Sequence, residues 1–192
     1  MFDPILMFGC STHKIEADWD TINDQILQRK IMKLAVDVTK SFNEDSAYPS
    51  TKECDAVLAK VQEIAQKEIH SRLVNVNEWA HVIEPDESTM IHVHTAPNKP
   101  DFISWVLWTK AEEGCGDLVH YFSACNRQVV KEFKPEVGKL LFFPDFIPHF
   151  TKKNNSGVVR ISLSGNMAIP PQDMKDSGPE KIFNYVGVTD AR

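Results

Sequence analysis

The 192 residues are 42 % hydrophobic and 25 % charged, with a net charge of −6. That balance suits one ordinary soluble domain with a helical annex, large enough to bury roughly two-thirds of its unfolded surface without staples. An acidic chain is a poor non-specific binder of nucleic acid or anionic membrane, so neither is an expected partner. The four cysteines, Cys10, Cys54, Cys115 and Cys125, contain no C-x-x-C and suggest neither a disulfide framework nor a zinc site. The opening MFDPILMFGCSTHK lacks a basic leader and a long apolar stretch. No apolar run reaches the ~18 residues of a spanning helix. A cytoplasmic protein with reduced thiols is expected.

In chain order, residues 18–42 place Ile22, Ile26, Leu27, Met32, Leu34 and Ala35 at mostly helical spacing, with Asp18 or Asp20 as cap. A polar break follows at 43–50. Residues 51–70 repeat the helical pattern through Val57, Leu58, Val61, Ile64, Ala65 and Ile69, with Ser50 or Thr51 as cap. The texture changes near residue 73. Short strands are predicted at 74–84, 89–95, 102–109, 117–122, 127–133, 139–143, 147–151 and 158–165, separated by Pro, Gly and Asn signals. Eight short strands at this spacing suggest a sandwich or closed barrel, with the two helices covering one outer face. The expected division is a helical segment 1–72, a β core 73–168 and a tail 169–192, whose KIFNYVGV adds an edge strand.

The chemistry concentrates near the end of the core. In VVRISLSGN (158–166), strand alternation puts Val159, Ile161 and Leu163 on one face and Arg160, Ser162 and Ser164 on the other. The apolar face suits the helices; the polar one meets either water or a polar interior. The connection KKNNSG (152–157) is rich in hairpin residues. A turn centred at Asn154-Asn155 would set His149 opposite Arg160, with Cβ atoms roughly 5 Å apart. Upstream, TMIHVHT (89–95) puts Met90, His92 and His94 on one face. Two neutral imidazoles two residues apart can converge on one metal, though an H-x-H pair also occurs on wet strand faces.

Residues 135–166 resemble the distal half of the 2-oxoglutarate/iron(II) oxygenases of the prolyl-4-hydroxylase-like superfamily, most of all a branch found in bacteria and phages. The shared features are Gly138, Phe143-Pro144, Pro148-His149 and Arg160-Ile161-Ser162. Upstream, Asn77-Glu78-Trp79-Ala80, Ser104 and the turn glycines Gly114 and Gly116 fit the same branch, so the likeness spans about residues 74–167. It implies a double-stranded β-helix, a jelly-roll or cupin-like fold preceded by two helices. It also implies iron(II) and 2-oxoglutarate as cofactors and dioxygen as co-reactant, acting on a small-molecule or peptide substrate. Carried over residue by residue, His149 is the distal iron ligand. Arg160 clamps the far carboxylate of 2-oxoglutarate and Ser162 helps it. An Arg fork meets a carboxylate through two charge-assisted bonds.

The proximal motif departs from the family's H-x-D or H-x-E. In one reading His92 and His94 both ligate, giving a three-histidine site. In another a single histidine is joined by Asp86, Glu87 or Asp101. In the last, His94-Thr95-Ala96 is an H-x-A site like that of the iron halogenases. Neutral histidine for carboxylate leaves iron one unit more positive, which raises its reduction potential. The expected activity is therefore an oxygenase, by default a hydroxylase. Its rivals are a non-catalytic cupin-like metal or small-acid binder and a three-histidine dioxygenase that does not use 2-oxoglutarate. His13, His70 and His81 are read as surface or helix histidines, His120 as packed, Trp105 as core, Trp108 as a wall of the pocket, and Asn77 as a residue near it.

Overall fold

A computed structural model of the chain describes residues 10–36, 49–69, 72–94, 101–124 and 127–170. Its elements are β1 (Ser11–Lys14), α1 (Trp19–Val36), α2 (Lys52–Ile69), β2 (Val74–Ile83), β3 (Asp101–Lys110), β4 (Leu118–Ala124), β5 (Arg127–Phe133), β6 (Lys139–Pro144), β7 (His149–Thr151) and β8 (Arg160–Ala168). Both helices start where their caps allow. Asp18 accepts from the backbone N–H and the hydroxyl of Thr21 at 3.2 and 2.8 Å. The Thr51 hydroxyl accepts from the Cys54 N–H at 3.3 Å. Each bond satisfies a donor that the first helical turn would otherwise leave bare.

The strands form two antiparallel sheets: five strands in the order β1-β6-β3-β8-β2, and three in the order β5-β4-β7. This is the jelly-roll, double-stranded β-helix arrangement expected from the sequence. The helices lie on the outer face of the larger sheet. Ile22 and Ile26 of α1, and Val57, Val61 and Ala65 of α2, share one buried core with Trp105, Leu107, Ile161 and Leu163. Each fully buried aliphatic side chain there contributes roughly 1.5–3 kcal/mol. Within that core, Asn23 of α1 and Thr109 of β3 satisfy each other. Thr109 Oγ1 donates to Asn23 Oδ1 at 2.6 Å, and Asn23 Nδ2 donates to the Thr109 carbonyl at 3.1 Å. A second cluster, including Val106, Trp108, Leu141 and Phe143, fills the space on the sheet's inner side. Among the described residues, no helix is long and apolar enough to cross a membrane.

Three local expectations are corrected. β1 is not among the predicted strands, yet it pairs with β6 from Ser11–Phe142 to Lys14–Lys139. An edge strand held by backbone bonds needs no apolar face, so STHK carries no strand signal. Residues 89–94 are not a continuous strand, and the one bridge there joins His92 to His149. Thirdly, β7 and β8 do not form a hairpin. β7 pairs with β4 in the small sheet, and β8 with β2 and β3 in the large one. His149 and Arg160 are therefore not cross-strand neighbours.

The connection between β7 and β8 crosses between the sheets and is wound about Asn154, which is fully buried. Asn154 Nδ2 donates to the carbonyls of Ile83 and Val158 at 3.2 and 2.7 Å, and its Oδ1 accepts from Ser156 N–H and Oγ–H. Its backbone N–H donates to Glu87 O, and its carbonyl accepts from Asp86 N–H. Asn, Ser and Gly favour tight backbone in a crossover as much as in a hairpin. The predicted edge strand KIFNYVGV lies outside the described residues.

Candidate metal and co-substrate site

The cleft between the sheets collects the polar face of β8. Arg160, Ser162 and Ser164 line it, as the alternation of the strand predicts. Their neighbours Ile161 and Leu163 turn to the helices and are fully buried. On the opposite side, His149 opens β7, and its backbone exchanges both hydrogen bonds with His92 at 2.9 and 3.0 Å. His94 is fixed by its N–H, which donates to the Asp145 carbonyl at 3.0 Å. These bonds bring the three rings together, with centroids 4.3 Å apart for His92–His149, 4.8 Å for His94–His149 and 5.3 Å for His92–His94. One ligand nitrogen from each lies within 4.8 Å of the others.

The tautomers follow from the partners of Nδ1. His149 Nδ1 meets the Ile147 carbonyl at 2.8 Å and His92 Nδ1 the Met90 carbonyl at 2.9 Å. A carbonyl only accepts, so both nitrogens carry their proton and leave the lone pair on Nε2. His94 Nδ1 lies 2.8 Å from Asn166 Oδ1 and 2.9 Å from Ser104 Oγ. Burial, reinforced by the charges of His92, His94 and His120 and opposed by the Ile147 bond, lowers the His149 pKa to about 3. It is therefore neutral at physiological pH. Converging imidazoles whose Nδ1–H donates to oxygen suit a divalent transition metal.

Arg160 is the electrostatic anomaly of the cleft. It is 2 % exposed. Its Nη1–H donates to the Gly116 carbonyl at 2.8 Å and its Nη2–H to Thr151 Oγ1 at 3.2 Å, while buried Nε has no hydrogen-bond partner. Among the described residues no carboxylate forms an ion pair with it. Burial lowers its pKa to about 10, with only the through-space pull of Cys115 and Asp117 opposing. The guanidinium stays charged, and a buried charge without a counter-ion is costly. Gly116 makes the anchor possible. Its φ is +86°, and a Cβ there would stand 2.1 Å from the Lys152 carbonyl oxygen.

Of the carboxylates considered for the vacant proximal position, Asp86 pairs with Lys153 at 2.5 Å and Glu87 accepts from the Glu84 N–H at 2.9 Å. Among the described residues the metal-capable group holds histidines alone. The side chain of Asp101, and Thr95-Ala96, lie outside the described residues. His13 bonds to Ser11 at the outer sheet, and His70 is outside the description. Trp105 packs in the helix-side core and also borders the cleft, which Trp108 lines from the sheet's inner side.

His81, expected at the surface, instead lines the cleft across from Ser162. Its pKa falls to about 4 through burial, then through the charges of Arg160 and His92. Strand parity with Trp79, which also lines the cleft and meets His94 edge-on at 5.3 Å, was the available signal. His120 is packed between Phe133 and Phe143, at ring distances of 4.7 and 4.5 Å. Asn166 and Ser104 were not recognised as partners of a site histidine. Asn166 shares the parity of Arg160, Ser162 and Ser164, which would have placed it on the cleft face.

No protein-family model matches the chain, and no curated protein matches it in sequence. Solved structures do match in shape. A Pseudomonas putida prolyl-4-hydroxylase superposes with a TM-score of 0.58 at 16 % identity, covering 84 % of this chain and 89 % of that one. AviO1 from Streptomyces viridochromogenes Tue57 gives 0.64 at 13 %, covering 85 % and 91 %. The non-heme alpha-ketoglutarate-dependent carbocyclase SnoK of nogalamycin biosynthesis gives 0.62 at 12 %, covering 90 % and 87 %. At such identities the likeness speaks to fold, and the chain has the prolyl-4-hydroxylase-like fold of the 2-oxoglutarate/iron(II) oxygenases.

Proposed function

We propose that the protein is an iron(II)- and 2-oxoglutarate-dependent oxygenase, by default a hydroxylase of a small-molecule or peptide substrate. His92, His94 and His149 hold the metal; Arg160, helped by Ser162, holds the co-substrate. The observation that carries this reading is the buried Arg160, charged, without a carboxylate partner among the described residues and sharing one cleft with three convergent histidines. A small diacid spans those two features, chelating at one end and ion-pairing at the other. Iron bound at the histidines would supply dioxygen activation coupled to decarboxylation of 2-oxoglutarate. The chain's own contribution is to keep the His149 imidazole neutral, to fix the diacid by a guanidinium already stripped of water, and to wall the cleft with Trp79, Trp108 and Phe143.

The cupin-like rival draws on the histidine group holding no carboxylate among the described residues, and one titration separates it. Iron(II)-loaded protein without oxygen should bind 2-oxoglutarate and develop the weak visible charge-transfer band of such a chelate. Arg160→Ala should weaken that binding tenfold or more, because a charge-assisted bond is typically worth about 1.5–3 kcal/mol. Arg160→Lys should recover part of it, keeping the charge and losing the fork. Equal affinity in all three proteins, or no band with iron bound, would overturn the proposal in favour of the cupin-like binder.

A further inference from the structure

The three histidines are not held alike. For His92 and His149 the partner of Nδ1 is a backbone carbonyl, so their tautomer is fixed whatever side chains surround them. For His94 it is a side-chain amide, Asn166, with the Ser104 hydroxyl beside it. An amide has two ends. If Oδ1 faces the ring, Nδ1 must carry the proton and Nε2 keeps its lone pair. If Nδ2 faces the ring, Nδ1 must accept, the proton moves to Nε2, and Nε2 no longer binds metal.

The hydrogen bonds around Asn166 are those of the first arrangement. Ser104 and Asn77 stand directly across from it on β3 and β2. Ser104 Oγ–H donates to Asn166 Oδ1 at 2.7 Å, and Asn166 Nδ2 donates to Asn77 Oδ1 at 2.9 Å. Ser104 is fully buried and Asn166 is 3 % exposed, so water offers little competition for the bond between them, while Asn77 lies at the exposed side. Trp79 closes the other side of the His94 ring.

We infer that Asn166 is the positioning residue that makes His94 a metal ligand, with Ser104 and Asn77 holding its amide in the orientation that keeps the His94 proton on Nδ1. The inference rests on the metal reading above. It also gives β8 a double task. Arg160 and Ser162 near its start face the co-substrate, and Asn166 near its end sets the tautomer of a ligand. All three Nδ1 acceptors are neutral oxygens, so among the described residues no outer carboxylate stands behind a histidine to compensate for the one missing from the group. Asn166 is the position where a single substitution would supply that charge.

The test has a metal-free arm and a metal arm. Nitrogen-15 spectra of the histidine rings in the metal-free wild type should show His94 protonated at Nδ1. Asn166→Asp, which can only accept, should keep that state. Asn166→Leu, similar in size and unable to accept, should mix the two tautomers of His94 while His92 and His149 stay unchanged as internal references. With cobalt(II) as spectroscopic probe, Asn166→Leu should bind ten- to a hundredfold more weakly, the usual cost of losing a partner behind a ligand. Asn166→Asp should restore the affinity with a shifted visible spectrum. An Nε2 proton on His94 in the wild type overturns the inference without any variant. So does unchanged cobalt affinity in folded Asn166→Leu, or equal weakening in Leu and Asp. If the wild type does not bind cobalt(II), or His149→Ala binds it equally well, the metal reading itself fails. The ring-tautomer arm still judges the Asn166 assignment on its own.

Discussion

The two sides that supply the histidine group are built to different standards. His149 sits on a strand laddered to β4 and is 5 % exposed. Across the cleft, every residue of β8 is buried. The segment bearing His92 and His94 leaves Met90, Ile91 and Val93 at 88, 55 and 42 % exposure. It is tied down by backbone bonds from Thr89, His92 and His94 to the 145–151 stretch. One side is therefore placed by the global core, the other by a few local bonds. Such segments open at lower free energy than the core they attach to. One of the three histidines is preformed by folding of the core, and the other two are set by contacts that folding stability barely registers.

That contrast is open to direct attack. The largest effect should come from Leu163→Ala on the helix-facing side of β8. A fully buried leucine truncated to alanine costs about 2–5 kcal/mol, and urea unfolding should read a loss in that range. A loss under 1 kcal/mol would mean that β8 is not the framework described.

A smaller effect concerns His120, behind His149, where burial and then Lys131 lower the pKa from 6.5 to about 4. The folded value lies below the unfolded one, so the unfolded chain takes up the proton first. The contribution of neutral His120 to stability is whole above about pH 6.5 and drains away as the pH falls toward 4. The slope is at most about 1.4 kcal/mol per pH unit. His120→Leu should flatten this part of the pH–stability curve, and an unchanged slope would show that His120 takes no part in it.

The smallest effect should be that of Met90→Ser or Ile91→Ser. Exposed substitutions usually stay within about 0.5 kcal/mol. A loss above 2 kcal/mol would make the 89–94 segment part of the core and erase the contrast.

Much of this was legible in the sequence because the signals were local. Asp18 and Thr51 announce helix starts through bonds within three residues. The alternation from Val159 to Ser164 sorts β8 into its two faces. What escaped depends on pairing partners. Nothing in STHK distinguishes an edge strand from a loop, since its bonds are backbone bonds to β6. Asn154 looks the same whether it tips a hairpin or pins a crossover, because its partners at Ile83 and Glu87 are some seventy residues away in sequence. The sequence pairing of His149 with Arg160 rested on a hairpin that does not form. The two line one cleft because the sheets face each other, which is a property of topology and not of the turn.

The indole of Trp79, edge-on to His94, and that of Trp108, on the same cleft wall, have an optical consequence. They are two of the chain's four tryptophans, so a large share of the ultraviolet-excited emission originates beside the histidines. A transition-metal ion with a partly filled d shell drains such emission when it settles nearby, and zinc(II), with its filled shell, does not. The protein thus carries its own indicator: unlabelled, at micromolar dilution, its fluorescence should dim with iron(II) or cobalt(II) and hold steady with zinc(II).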